Sequence, residues 1–380
     1  MAVTCNVRRL ALRDFRNHAR TDLELQDGLT IFVGGNGQGK SNLLEALYVV
    51  ATGRSYRTTR DAEMIAHGAH LARVHAVVIR RGGREEEQEA LISRHGETGS
   101  VRLRVSGVET PRSRVLGRVP VVVAAPWDLD VVRGAAVLRR RLLDAALAQT
   151  SPAYFFALHR YYRVLAQRNA VLRQRSGAHF EPWEAQMVTL GARITARRRT
   201  YVERLNARAA EWFRHLGGVG RLEVRYRPSW TGASEEEVAV VAREELRRRR
   251  ADEIRRGSTL SGPQRDEVEF VLDGVPLRST GSLGQWRLAM LAVRCAEREV
   301  VEAELGTRPL LLLDDVLAEL DDARQQRVLQ LTGTGQVLVT MTVLPSEPRG
   351  VELVRAGMRV LNVSGGTVGE GVWSHRSATS

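Results

Sequence analysis

The chain contains a single lysine, Lys40, and its 57 basic residues are otherwise all arginine. Arginine therefore meets every ordinary need for positive charge, and position 40 is where something excludes it. Cysteine is scarce as well. Cys5 and Cys295 lie far apart and make neither a metal-binding spacing nor a disulfide framework, which points to a reducing, cytoplasmic setting. Long apolar runs are missing. The N-terminal MAVTCNVRRLALRDF does not read as a signal peptide, and no later stretch is long enough to span a membrane. A soluble protein is expected. Negative charge is in deficit, with 44 acidic residues, a net charge of +13 and a pI near 10.8. That imbalance suits a polyanionic partner such as nucleic acid, held by phosphate neutralisation and counterion release. A genome that favours arginine would raise the pI in the same way, so charge alone leaves both readings open. At 380 residues, the chain has length for one large domain or two moderate ones.

What surrounds the lone lysine is informative. Gly34-Gly35-Asn36-Gly37-Gln38-Gly39-Lys40-Ser41 is the Walker A pattern G-x-x-x-x-G-K-[ST]. Leu29 to Val33 reads as a buried strand before it. Asn42 to Val50 reads as a helix after it, with Leu43, Leu44, Leu47 and Val50 on one face. This is the strand–loop–helix setting that phosphate binding needs. Glycines let backbone N–H groups converge on phosphates, and the helix N-terminus adds its dipole. A compact ammonium fits that nest and a broad guanidinium does not. The segment from Gly34 to Asn42 is expected to hold ATP, with the Ser41 hydroxyl on Mg²⁺.

Two further segments complete the chemistry. Leu310 to Leu313 reads as a buried parallel strand running into Asp314-Asp315. Carboxylates at such a strand end sit where open α/β sheets bind ligands. Asp314 is expected to hold Mg²⁺ through water, and Asp315 to polarise the attacking water as general base. Ser282-Leu283-Gly284-Gln285 precedes a helix from Trp286 to about Leu305. The turn offers a hydroxyl, a glycine and free N–H groups, an anion-binding device that also serves as an ordinary helix cap.

The order Walker A, Ser-x-Gly-Gln, Asp-Asp resembles the ABC-type ATPases, and specifically their SMC-like, DNA-associated branch. Within that branch the chain resembles the RecF family of bacterial recombinational repair proteins over most of its length. The matching residues are Asp14-Phe-Arg-Asn17, Gly34 to Glu45, Arg54-Ser-Tyr-Arg57, Gln167-Arg-Asn169, Gly262-Pro-Gln-Arg-Asp266 and Leu313 to Asp321. Departures are Gly35 for an acidic residue, Ser41 for Thr, Ala136 for Pro, Gln264 for His, and Trp286 for a polar residue after the signature turn. The resemblance implies an α/β ABC-type ATPase head with a mixed or parallel sheet and an inserted helical arm. It implies a homodimer closed by ATP, in which Ser282, Gly284 and Gln285 of one copy cap the nucleotide on the other's Walker A loop. Slow, DNA-dependent hydrolysis would time its release. The family further implies binding to duplex DNA and single-strand/double-strand junctions, and action with RecR and RecO in loading RecA.

Both motif-bearing ends must build one nucleotide site. The head is therefore expected from residues 1–135 and 260–368, with a helical, arginine-rich insertion at 136–259 and a loose tail at 369–380. In the insertion, Tyr154–Arg173, Glu184–Phe213 and Glu235–Arg256 read as helices. Arg139–Arg141, Arg197–Arg199 and Arg247–Arg250 are candidate phosphate contacts, although such runs are more often solvated faces. An ATPase subunit of a membrane transporter is the alternative. It shares the three motifs but usually has a histidine where this chain has Thr340-Met341-Thr342.

Overall fold

The computed structural model describes residues 3–80, 82–96, 98–174, 180–317, 320–329, 335–343 and 358–370. It divides into two compact units, Met1–Pro126 with Leu305–Ser380, and Trp127–Glu304.

The first unit holds two six-stranded sheets. One runs Thr367–Glu370, Arg359–Ser364, Leu29–Val33, Val337–Met341, Leu310–Asp314, Val121–Ala124. Every neighbouring pair in it is parallel except the terminal hairpin. Its central strands are buried along their length, as parallel strands covered on both faces must be. The other sheet is antiparallel, in the order His18–Glu24, Asn6–Phe15, Leu71–Ile79, Glu85–His95, Thr98–Val105, Val108–Glu109. Its strands alternate. Leu10, Leu12, Leu23, Val74, Ala76, Ala90 and Ile92 are buried, and polar residues lie between them. The helix Lys40–Thr52 packs on strands of both sheets.

The second unit is mainly helical. Pro152–Gln174, Glu181–His215 and Glu235–Arg256 pack on one another, and Leu283–Leu305 follows the signature turn. The longest, at 35 residues, is about 52 Å at 1.5 Å per residue. All three helices expected in the insertion are present.

The units divide at 126/127 and 304/305, away from the expected 135 and 260. The later boundary moves because of a small antiparallel sheet in which Glu267–Leu272 pairs with Leu222–Arg227, and the earlier one because Asp128 pairs with Arg294 of the same unit. Arg139 adds a two-toothed bond to Glu267, at 2.7 and 2.9 Å, and ties the segment to the helices. The expected loose tail at 369–380 also needs correction, because Gly369 and Glu370 belong to the strand Thr367–Glu370; the rest of it lies outside the described residues. Among the described residues, no helix is long and apolar enough to cross a membrane.

Candidate nucleotide-binding site

The helix Lys40–Thr52 starts directly from the Walker A loop, with Gly39 as its N-cap. Gly39 has a left-handed φ of 113°, and a Cβ there would meet Asn17 Oδ1 at 2.7 Å and His18 Nε2 at 2.8 Å. A side chain at Gly34 would strike the Val363 carbonyl oxygen at 2.2 Å. Gly35 lacks such a neighbour, its nearest contact being Gln38 Cγ at 3.7 Å. That position therefore has space for the acidic residue that the family resemblance leads one to expect there.

Lys40 Nζ donates to the carbonyls of Gly34 and Gly35 at 2.7 and 2.8 Å, spanning the loop from inside. Burial pushes its pKa down, while Asp315 and Asp314 pull it back up. The Ser41 hydroxyl donates to Asp314 Oδ1 at 2.7 Å, across 273 residues of sequence. Thr340, paired with Asp314 in the parallel sheet, binds both aspartates. Its hydroxyl donates to Asp314 Oδ1 at 2.8 Å and accepts from the Asp315 N–H at 2.8 Å. Asp315 itself adopts a positive φ of 54°, an uncommon state for a non-glycine residue, and so leaves the strand direction sharply. Lys40, Ser41, Asp314 and Asp315 are thus gathered as the sequence pattern anticipates. A serine hydroxyl and a carboxylate are oxygen donors of the kind that Mg²⁺ prefers. Among the described residues, no group of three or more His, Cys, Asp or Glu side chains offers a denser metal site.

Several supporting residues lie within the quoted motifs, but their contacts are not readable from sequence, and His18 lies outside the motifs altogether. The hairpin tip Arg16-Asn17 lies against the loop: Asn17 Nδ2 donates to the Gln38 carbonyl at 3.0 Å and Asn42 Nδ2 to Asn17 Oδ1 at 2.7 Å. His18 is fully buried, with Nε2 donating to the Gly39 carbonyl at 3.0 Å. Burial lowers its pKa. Glu45, also fully buried, accepts both a two-toothed bond from Arg16, at 2.9 and 2.7 Å, and a bond from Arg57 at 3.2 Å. Ser55 adds a further bond. The segments Asp14–Asn17, Gly34–Glu45 and Arg54–Arg57 therefore meet on one carboxylate. Their recurrence as separate motifs was the signal that they act together.

In the other unit, Ser282 and Gln285 form a capping box. The Gln285 N–H donates to Ser282 Oγ at 3.3 Å, and the Ser282 N–H to Gln285 Oε1 at 2.8 Å. Ser282, Leu283, Gly284 and Gln285 are all exposed. The Trp286 indole lies against Gly281 and donates to the Leu277 carbonyl at 2.7 Å, while Ser282 to Gln285 stay exposed.

The arginine clusters are largely structural. Arg139 is buried against Glu267 and the carbonyls of Val131, Val132 and Gly134. Arg198 is fully buried between Asp144 and Asp266, at 2.8 Å from each. Arg248 and Arg249 pair with Glu245, and Arg250 with Glu184. Two further motifs brace the same unit. Asn169 Oδ1 accepts from Thr259 N and Oγ1, and Asp266 accepts from the Ser229 N–H.

The model of the RecF/RecN/SMC N terminal domain matches residues 6–345. The DNA replication and repair protein RecF of Gloeobacter violaceus is 42% identical over 350 residues, covering 89% of this chain and 92% of that protein. That of Shouchella clausii is 38% identical over 346 residues, covering 88% and 91%. The chain belongs to the RecF family. It is similar to the solved recombination mediator protein RecF with ATP, of the RecFOR pathway, at a TM-score of 0.87 and 26% identity, over 97% of this chain and 98% of that one. A Pyrococcus furiosus Smc head domain, 17% identical over 96% of this chain and 95% of that one with a TM-score of 0.55, shares the fold. RecF family membership makes this a DNA replication and repair protein with an α/β SMC-type head, in keeping with the motif order.

Proposed function

We propose that this chain is an ATP-dependent DNA-binding protein of recombinational repair that closes as a homodimer around ATP. The observation that carries this reading is the joining of Ser41, Asp314, Thr340 and Asp315 beside Lys40. The backbone amides of Gly34 to Gly39, with Asn42 at the helix start, cradle the phosphates. Lys40 leaves the loop carbonyls for the β- and γ-phosphates. Ser41 and Asp314 would hold Mg²⁺, whose charge would offset that of the phosphates. Asp315, turned off the strand by its positive φ, orients and deprotonates the attacking water.

Ser282, Gly284 and Gln285 act in trans. Their exposure and the intact capping box, which engages the Ser282 and Gln285 N–H groups, hold the Ser282 hydroxyl in place for the γ-phosphate on a second copy. ATP then shifts the monomer–dimer equilibrium by its greater affinity for the closed pair, and hydrolysis removes the bridging group. Turnover serves as a slow, DNA-dependent timer. The partners are duplex DNA and single-strand/double-strand junctions, with RecR and RecO acting to load RecA. The similarity to RecF of the RecFOR pathway supports this assignment.

Light scattering of the full chain with ATP, ADP or no nucleotide, with and without a gapped duplex, tests it. Mass should double from 42.3 kDa with ATP alone among the nucleotides. Ser282→Arg should bind ATP and stay monomeric. A Ser282→Arg protein that still dimerises with ATP would overturn capping in trans.

A further inference from the structure

The antiparallel sheet of the first unit has one face in the core and one in solvent. In the strand Asn6–Phe15, Leu10 and Leu12 are buried while Arg9 and Arg13 are exposed. Strand register then sets arginines side by side. Arg13 is directly opposite Arg20 on one side and Arg73 on the other. Arg73 faces Leu91, which faces Arg102. One line across five strands therefore reads Arg20–Arg13–Arg73–Leu91–Arg102. Four inter-strand steps make it about 19 Å long. A depression of about 300 Å³ opens on the same face, lined by Arg9, Arg13, Arg20, Asp22, Arg73 and His75.

Like charges directly opposite one another destabilise a sheet. Elsewhere in this chain arginines are commonly matched to carboxylates, as on the helix Glu235–Arg256. On this face Arg9 pairs with Asp22, and Arg73 and Arg104 with Glu89. Arg13, Arg20 and Arg102 make no ion pair among the described residues, though Arg20 lies close enough to Asp22 to lower its pKa. Glu24 and Glu87 sit at the other end of the face, opposite Arg9 and Val77. The face is therefore polarised, with a row of arginines at one end, of which Arg73 alone pairs with a carboxylate among the described residues. A compositional taste for arginine explains how many there are. It does not explain three abutting on adjacent strands.

We propose that this face binds the phosphate backbone of duplex DNA. The inference rests on the DNA-binding reading above and places it on a surface. Over ~19 Å of axis a duplex presents roughly 11 phosphates, a line of charge commensurate with the arginine row. The exposed residues of these strands include no Phe, Tyr or Trp among the described residues, so the face lacks the stacking platforms that single strands use. Binding through it is independent of sequence, because arginine contacts to phosphate position the duplex without reading bases.

The test is fluorescence anisotropy of a blunt duplex titrated with the full chain and ATP across a range of salt. The Arg13→Ala/Arg20→Ala/Arg102→Ala protein should bind more weakly, with the slope of log affinity against log salt shallower by about 0.9 per lost contact, about 2.7 in all. The matching triple lysine variant should restore most of the slope, because a point charge suffices for this role. An unchanged slope in the alanine protein overturns the surface and leaves DNA binding standing. Loss of single-strand binding alone overturns the duplex assignment. Failure of the unmodified chain to bind duplex with ATP overturns the DNA-binding reading and the surface with it.

Discussion

Lys40 lies 2.7 and 2.8 Å from two carbonyls of its own loop. A compact ammonium reaches both, and a planar guanidinium in the same space would push the loop apart. In a chain that uses arginine at every other basic position, this is a local steric demand written into the sequence. Lys40→Arg should lower ATP turnover by about 10²-fold or more, measured as phosphate release. Unchanged turnover would remove Lys40 from the site. His18 makes a second demand of a different kind. Burial holds its pKa below the ordinary value of about 6.5, so the folded chain binds fewer protons there than the unfolded chain. The stability contributed by neutral His18 is complete above about pH 6.5 and is lost as pH falls toward the folded-state pKa. In thermal melts between about pH 7.5 and 5, the unmodified chain should lose more melting temperature than His18→Gln. Parallel losses would mean that His18 is not the titrating group.

Among the elements, the helices were the most legible. Glu235–Arg256 is bounded by Ser234, whose side chain accepts from the Glu237 N–H, and by Gly257 in the left-handed region. Both caps are sequence signals. The arginine runs were not legible in the same way, since a run does not say which member faces inward. Within Arg197–Arg199 the central residue is fully buried between two carboxylates and Arg197 is exposed. Arg198→Ala leaves Asp144 and Asp266 without their shared cation, and should cost about 3–5 kcal/mol in urea unfolding. Arg197→Ala should stay within about 0.5 kcal/mol. Equal effects from the two would refute this division of roles. The signature turn shows the same limit. The sequence sets Trp286 just after Gln285, and only the structure shows its indole bonded to the Leu277 carbonyl.

At the scale of the whole molecule, the net charge of +13 was visible from composition and its placement was not. Much of the arginine goes into internal ion pairs, and the arginine row on the antiparallel sheet emerges only from strand register. The division into units was also hidden. The helical segment reads as ending near 260, yet Glu267–Leu272 pairs back to Leu222–Arg227 and carries the following segment into the same unit. By itself the sequence determined the α/β class and the family, because the Walker A pattern, the Ser-x-Gly-Gln turn and the aspartate pair are each short local patterns whose order along the chain can be read directly. Tertiary structure alone decided that Thr340 grips both aspartates, that Glu45 gathers Arg16 and Arg57, and that Asn17 and His18 brace the loop. Those contacts join residues brought together by strand pairing, and pairing partners are chosen by the burial of a whole sheet rather than by any local pattern.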